Sequence, residues 1–419
     1  MRSTLASLLA LLVSYAILCL GHGLNNTLLG VRAIHEGFPD WVIGVMMSSY
    51  FLGFLIGAHV AGRMIPVVGQ IRVFAAFASL ASAVSLMHVL NLNQFTWIVL
   101  RFVYGMSIAT LYVVIEGWLS TLSTRENRGK LLAVYMIINF ACLSLGQLLM
   151  LSATPQSFTL FAVVSILISV ALVPLTLSKS KQPESGHSED FGYRRLFEIS
   201  PLATLGCFST GLTMGAFWGL GAAYFSRMGL SPDNAAIALS VAFLGGLLFQ
   251  WPIGALSDHF DRRVTISFVV VSSALVCLGF VVLIDDVAHQ LSNDLLILSF
   301  FFGGFSYTLY SLYIALANDF LQPAQAVKAS GGLISIHAVG AILGPTLTSL
   351  LMSSSIGNKG LFGFIGAING GMFLLAVYQL YRGRTIPEST HEAFICLPKT
   401  TATLLELDPR THEMDEADA

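Results

Sequence analysis

The sequence predicts an all-α membrane protein: twelve transmembrane helices in two six-helix lobes related by pseudo-twofold symmetry. Three observations predict it. Apolar stretches of membrane-crossing length recur along nearly the whole chain, Lys and Arg fall almost entirely on one side of them, and the second half repeats the first. Of 419 residues, 55% are hydrophobic and 11% charged, against roughly 25% charge in a soluble globular domain. Stretches of about 20 apolar residues cross a bilayer as helices. The ten-residue polar alternation of membrane strands does not occur here.

The first span, 5–30, opens on Arg2 and an apolar run like a signal peptide, but it continues through GHGLNNTLLG with no A-x-A site, so an uncleaved helix is expected. The second, 41–64, follows Pro39 and Asp40, a pair suited to a first helical turn. Spans 71–91, 95–120, 129–152 and 158–177 complete the first half. The polar stretch SKSKQPESGHSEDFGYRRLFEIS then reads as a solvated linker. It divides an N-terminal lobe, 1–177, from a C-terminal lobe, 200–382, leaving a linker at 178–199 and a tail at 383–419. The second lobe holds spans 200–227, 233–257, 264–284, 292–320, 328–352 and 359–382.

Threading the chain through these spans with both termini in the cytoplasm puts seventeen of the 21 Lys and Arg on the cytoplasmic side. Arg32, Arg227 and Lys359 lie opposite, and Arg101 falls within a span. A bias this lopsided fixes the orientation and leads us to expect a multi-pass membrane protein with both termini in the cytoplasm. The net charge of −2 reflects the tail ending EMDEADA and implies no nucleic-acid partner. The five cysteines are scattered without a C-x-x-C, so neither a disulfide framework nor a metal site is expected, and no cofactor motif occurs.

PDWVIGVMMSSYFLG at 39–53 matches PDNAAIALSVAFLGG at 232–246, an offset of 193 that sets Gly53 on Gly246. Gly105 falls on Gly304 at offset 199, whereas Lys130 and Gly146 fall on Lys328 and Gly344 at offset 198. A six-span repeat is the layout of two-lobed transporters with a midplane site between lobes.

Over roughly residues 1–382 the chain resembles the major facilitator superfamily, on three motifs. GALSDHFDRR, 254–263, resembles that superfamily's G-x-x-x-D-x-x-x-R-R loop. Its first-half counterpart, AGRMIPVVGQIR, keeps Gly62, Arg63, Gly69 and Arg72 but has Ile65 where an aspartate would repeat. RFVYG, 101–105, resembles the R-x-x-x-G motif of the fourth helix, and VVIEGWLSTLSTRENRGKLLAVYM is similar to the uncharacterised YcaD-type bacterial branch. The resemblance implies a secondary transporter of the bacterial inner membrane, expected to be a monomer, working by alternating access on a small molecule. No nucleotide-binding loop occurs, and Glu116, His22 and His337 can titrate, so protons are the expected coupling ion. No G-x-S-x-G, H-E-x-x-H or metal-spaced histidines occur, so no enzyme is expected. Efflux of a small organic solute is the first expectation and nutrient uptake the alternative; a non-transporting receptor or scaffold stands third.

The same resemblance gives Gly254, Asp258, Arg262 and Arg263 the role of a cytoplasmic gate, with Arg128 and Lys130 beside it; basic residues holding a loop inside is the plainer alternative. Arg101 fits three roles: snorkelling to the outer interface, proton coupling as the motif implies, or substrate contact. Arg101, Tyr104, Ile108, Tyr112 and Glu116 share one helix face, with Glu116 some 22 Å from Arg101. Glu116 therefore suits either a charge cluster with Arg125, Arg128 or Lys130, or a proton carrier, since a carboxylate withdrawn from water holds its proton more readily. His22, Asn25 and Asn26 stand at i, i+3 and i+4 on one face of the first span, and by resemblance spans 1, 4, 7 and 10 line a cavity. Span 7 then offers Thr210, Thr213, Phe217 and Trp218, and span 10 offers Ser306, Tyr310 and Tyr313; helix-to-helix packing explains such groups equally. His337 aligns with Asn139 and is either a proton group or a structural histidine.

Overall fold

The computed structural model describes residues 2–124, 127–176, 192–283, 290–321, 323–382 and 394–396. Among them fourteen α-helices and no strand occur: α1 (Arg2–His35), α2 (Asp40–Val68), α3 (Gln70–Leu90), α4 (Gln94–Leu122), α5 (Arg128–Leu148), α6 (Phe158–Val170), α7 (Leu172–Thr176), α8 (Tyr193–Ile199), α9 (Pro201–Arg227), α10 (Pro232–His259), α11 (Arg262–Leu283), α12 (Asn293–Asn318), α13 (Pro323–Met352) and α14 (Gly360–Arg382). Most of the expected linker and tail lies outside the described residues, as does Arg125.

Among the described residues eleven segments are long and apolar enough to cross a membrane, α6 and α7 together forming one of them. The twelfth is α9, equally long but rich in Gly, Ser and Thr. Nearly all its residues are buried, so it meets protein on every side and needs no lipid-facing stripe. The sixth span, read as one helix, is broken at Ala171 three residues before Pro174, whose missing N–H cannot continue the hydrogen-bond ladder. Short connections are closed by polar caps: the Asn93 side chain accepts from the N–H groups of Phe95 and Thr96, and Ser200, Ser231 and Ser292 cap α9, α10 and α12 in the same way. Helix α8, inside the stretch read as solvated linker, is one further element, with an exposed Arg194–Glu198 pair at 2.9 Å and Leu196 buried.

Glycines define the lobes. In the first, Gly53 of α2 lies against the Phe102 carbonyl and Gly105 of α4 against that of Tyr50, while Gly23 of α1 meets the Leu143 carbonyl and Gly146 of α5 that of Leu20. In the second, Gly245 meets Phe300, Gly303 meets Ala242, Gly215 meets Ala341 and Gly344 meets Leu212, again at carbonyls. Subtracting Gly23 from Gly215, or Gly53 from Gly245, gives 192; subtracting Gly105 from Gly303, or Gly146 from Gly344, gives 198. The pseudo-twofold is thus carried by equivalent carbonyl-on-glycine contacts, which only a residue without a Cβ permits.

This register corrects the sequence alignment by one residue. Gly53 pairs with Gly245 rather than Gly246, and Gly105 with Gly303 rather than Gly304, while the offset of 198 for Gly146 stands. The helix starts agree, because Pro39 is the N-cap of α2 and Ser231 that of α10. The two Pro-Asp dipeptides match as letters but sit one position apart in their helices.

Helices α1, α4, α9 and α12 are the most enclosed, and apolar residues such as Trp251, Val282 and Leu374 cover the periphery. We call the end carrying the 178–199 segment the linker end and the end carrying Asp40 and Arg227 the far end.

Candidate functional site

The close approach of α1 to α5 at Gly23 helps turn His22, Asn25 and Asn26 into the lobe interior and towards α9. Asn26 bridges the lobes: its Oδ1 accepts from Arg101 Nη2 at 3.0 Å and its Nδ2 donates to the Trp218 carbonyl of α9 at 2.7 Å. Arg101 is fully buried, which removes snorkelling as its role. Its guanidinium also donates from Nη2 to Met47 Sδ at 3.0 Å and sits 4.7 Å from the Tyr50 ring centroid, a cation–π arrangement. Tyr50 OH pairs with His22 Nε2 at 3.2 Å, and the His22 ring lies 5.6 Å from Trp218 and 6.0 Å from Tyr104. Among the described residues no carboxylate lies within ion-pair distance of Arg101.

A second group lies nearer the linker end. Glu116, fully buried, accepts a hydrogen bond from Tyr135 OH at 2.6 Å. Tyr135 stacks on Tyr15 at 4.2 Å, Asn139 donates to Tyr15 OH, and Tyr15 meets Tyr112 edge-on at 5.9 Å. Tyr112 OH approaches Cys19 Sγ at 3.9 Å, and the Tyr112 ring stands 6.4 Å from His22. Arg101 and Glu116 are thereby joined by a file of polar and aromatic side chains through α1, α2, α4 and α5. Arg128 opens α5 and Lys130 is exposed near it.

The repeat offsets carry Tyr15 to Cys207, Tyr112 to Tyr310 and Asn139 to His337, and these three also come together. His337 Nδ1 lies 3.2 Å from Thr210 Oγ1 and 3.3 Å from the Cys207 carbonyl, with its ring 4.8 Å from Tyr310. The remaining candidates of this lobe are held within it. Thr213 donates to the Ser209 carbonyl, Ser306 pairs with Ser273 of α11, Tyr313 fills the space over Gly206, and Phe217 packs at 4.5 Å on Phe302. Trp218 alone among them reaches the other lobe.

In the GALSDHFDRR loop, Arg262 Nε donates to Asp319 Oδ2 at 2.6 Å in a fully enclosed pair, whereas Asp258 Oδ1 is 3.8 Å from Arg262 Nη1. Asp258 Oδ1 instead accepts from the Phe394 backbone N–H at 2.7 Å, and the Phe394 ring lies against Gly254. Arg263 is held by Asp261 at 2.6 Å and by the Gln379 carbonyl.

The lobes meet along a seam from the far end to mid-helix. Asp40 and Arg227 form an ion pair at 2.6 Å, and Ser48 and Thr346 share a hydrogen bond at 2.7 Å. Gly30 faces Ala222, Gly44 faces Ser349, and Gly219 faces Met47 and Pro345. Ser144 and Ser240 pair at 2.7 Å, and Phe140 meets Phe243 and Tyr307 at 6.5 and 5.5 Å.

Sequence reasoning missed Tyr15, Met47, Tyr50, Tyr135 and the docked Phe394. Tyr15, Cys19 and His22 at i, i+4 and i+7 formed a legible face of α1. Tyr135 has no such signal, because only the packing of α1 against both α5 and α4 brings it to Glu116.

Two pseudo-symmetric six-helix lobes meeting over buried polar groups define a membrane transporter of the two-lobed kind. The family model described as Major Facilitator Superfamily matches residues 11–282 and 203–404, and the chain belongs to that superfamily. It is 30% identical over 344 residues to the "Uncharacterized MFS-type transporter YcaD" of Escherichia fergusonii, covering 82% of this chain and 88% of the relative. To the "Uncharacterized MFS-type transporter YE1530" of Yersinia enterocolitica it is 29% identical over 350 residues, covering 83% and 87%. Among solved structures it is similar in fold to the nucleoside transporter NupG, with a TM-score of 0.73, 15% identity and coverage of 92% and 100%. It is likewise similar to a bacterial homolog of the human lysosomal transporter Spinster in its inward-facing, occupied conformation, with a TM-score of 0.72, 14% identity and coverage of 92% and 99%.

Proposed function

We propose that this chain is a proton-coupled secondary transporter that exports a small organic solute across the bacterial inner membrane by alternating access. The linker end and both termini face the cytoplasm, and the far end faces outward. One observation carries the reading: among the described residues, the ion pair, hydrogen bonds and ring contacts between the lobes run from Asp40–Arg227 at the far end to the Phe140–Tyr307 contact at mid-helix. Lobes joined along that half can rock about their middle. The described conformation is therefore closed to the outside.

The polar file from Arg101 to Glu116 is the proton-coupling element of the N-terminal lobe, and His337 with Thr210 and Tyr310 is its counterpart. The GALSDHFDRR loop latches the opposite state, in which Asp258 exchanges Phe394 for the facing lobe. Flux in proteoliposomes under an imposed proton gradient tests this. Solute movement that follows the gradient and reverses with it is expected. The sign of coupling separates export from uptake, and no flux with any solute class would favour a receptor. Glu116→Gln is expected to remove the pH dependence of flux while leaving downhill flux measurable. A slowed cycle with unchanged pH dependence would make Glu116 a structural anchor instead.

A further inference from the structure

We propose that the Arg101 cluster binds the carboxylate of a small organic monoanion, which is the transported solute. The proposal rests on the transporter reading and adds the chemical class of its substrate. Arg101 is fully buried, yet its Nε and Nη1 have no hydrogen-bond partner. His22 Nδ1 is likewise enclosed and unpartnered, and the Tyr104 hydroxyl and the Asn25 amide, both enclosed, face only each other. These groups belong to one neighbourhood: Arg101 touches Tyr50 and Asn26, Tyr50 touches His22, and the His22 ring neighbours Tyr104. A buried guanidinium without a carboxylate is costly, and several donors left open around it make the cost larger. A ligand carboxylate relieves both, since it accepts several N–H and O–H bonds at once and cancels the charge.

Three features narrow the ligand. Arg101 is the one permanently charged side chain of the cluster, so a single negative charge balances it, whereas a phosphate dianion would leave one charge buried. The rings of Tyr50, Tyr104, His22 and half-buried Trp218 supply apolar walls for a compact hydrocarbon or aromatic body. The cluster is also one-sided: the offsets of 192 and 198 carry His22, Asn25, Asn26 and Arg101 to Met214, Phe217, Trp218 and Ser299, none of them charged. Asn26 ties the site to the seam, because the amide that holds Arg101 also holds the Trp218 carbonyl. An anion seated on Arg101 competes for Asn26, one of the groups that join the lobes, which links occupancy to opening.

Thermal unfolding of the purified full chain with benzoate, benzamide or inorganic phosphate reads the proposal directly. Benzoate is expected to raise the Tm, with benzamide and phosphate giving no comparable shift. Arg101→Gln is expected to weaken benzoate binding at least about tenfold. Met47→Glu places an internal carboxylate where Met47 Sδ now meets Arg101 Nη2, and is expected to abolish the benzoate shift in a folded protein, which decides the matter if Arg101→Gln does not fold. Equal shifts with benzoate and benzamide, a shift with phosphate alone, no shift with benzoate, or a benzoate shift of full size in either variant would overturn the proposal. Labelled benzoate in proteoliposomes separates the two readings. Arg101-dependent binding without flux leaves the site standing and removes transport of this solute, whereas flux of another solute without benzoate binding removes the site alone.

Discussion

Glu116 shows how a buried charge is made tolerable. Its donor Tyr135 comes from the next helix and is itself held by the stack on Tyr15 of α1. Hydrogen bonds to charged groups contribute about 1.5–3 kcal/mol, so Tyr135→Phe is expected to lower stability by that order and to alter the pH dependence of flux in the same direction as Glu116→Gln. Thermal unfolding and proteoliposome flux check the two parts. The side chains of the Arg262–Asp319 pair are likewise enclosed, and Asp319→Asn removes the carboxylate 2.6 Å from Arg262 while Asp258 stands 3.8 Å away. Removing one partner of such a pair costs about 3–5 kcal/mol, so this variant is expected to lose most of its folded yield, while Asp258→Asn loses little. Equal yields would mean that Asp319 is not the principal anchor. At this scale the sequence was partly legible. Arg101, His22, Asn26 and Glu116 stand out as polar groups in apolar helices, and helical spacing alone puts His22 with Asn26 on one face and Arg101 with Glu116 on another. Their partners were hidden, because Met47, Tyr50 and Tyr135 are ordinary residues of apolar helices until packing selects them.

Among the helices, packing is decided by where glycine admits a neighbouring backbone. A Cβ on Gly303 would stand 1.8 Å from the Ala242 carbonyl, so Gly303→Ala must push α10 and α12 apart and is expected to abolish folded yield. At Gly62, on an exposed stretch of α2, a Cβ meets nothing within 4 Å, and alanine there is expected to be neutral or to stabilise by about 0.4–1 kcal/mol. Expression and unfolding of the two variants check the contrast. The same contacts explain why the repeat was legible as a pattern and misplaced by one residue. Matching Pro-Asp letters fixed the register on a helix start, whereas what the lobes share is carbonyl-on-glycine contacts deeper in the helices. Helix α9 was legible as a span only by position and length, since its Gly, Ser and Thr content reflects its enclosure by other helices.

For the whole molecule, the question is what holds the far end shut. Asp40–Arg227 is partly exposed, with side chains at 11% and 34% of full accessibility, and such pairs are worth about 1 kcal/mol or less. Asp40→Asn is therefore expected to shift the lobe equilibrium by no more than about fivefold, read by cysteine accessibility along the seam. Gly30, Gly44 and Gly219, with the Ser48–Thr346 and Ser144–Ser240 bonds, carry the rest of the closure. The two-lobed architecture was legible from hydropathy, basic residues and repeat together; the closed end was not, because one sequence encodes both conformations. The most direct measurement is solute flux by the Ser48→Cys, Thr346→Cys double variant, whose two positions now share a hydrogen bond across the lobes. Oxidation is expected to stop flux and reduction to restore it. Undiminished flux in the crosslinked protein would contradict alternating movement of the lobes.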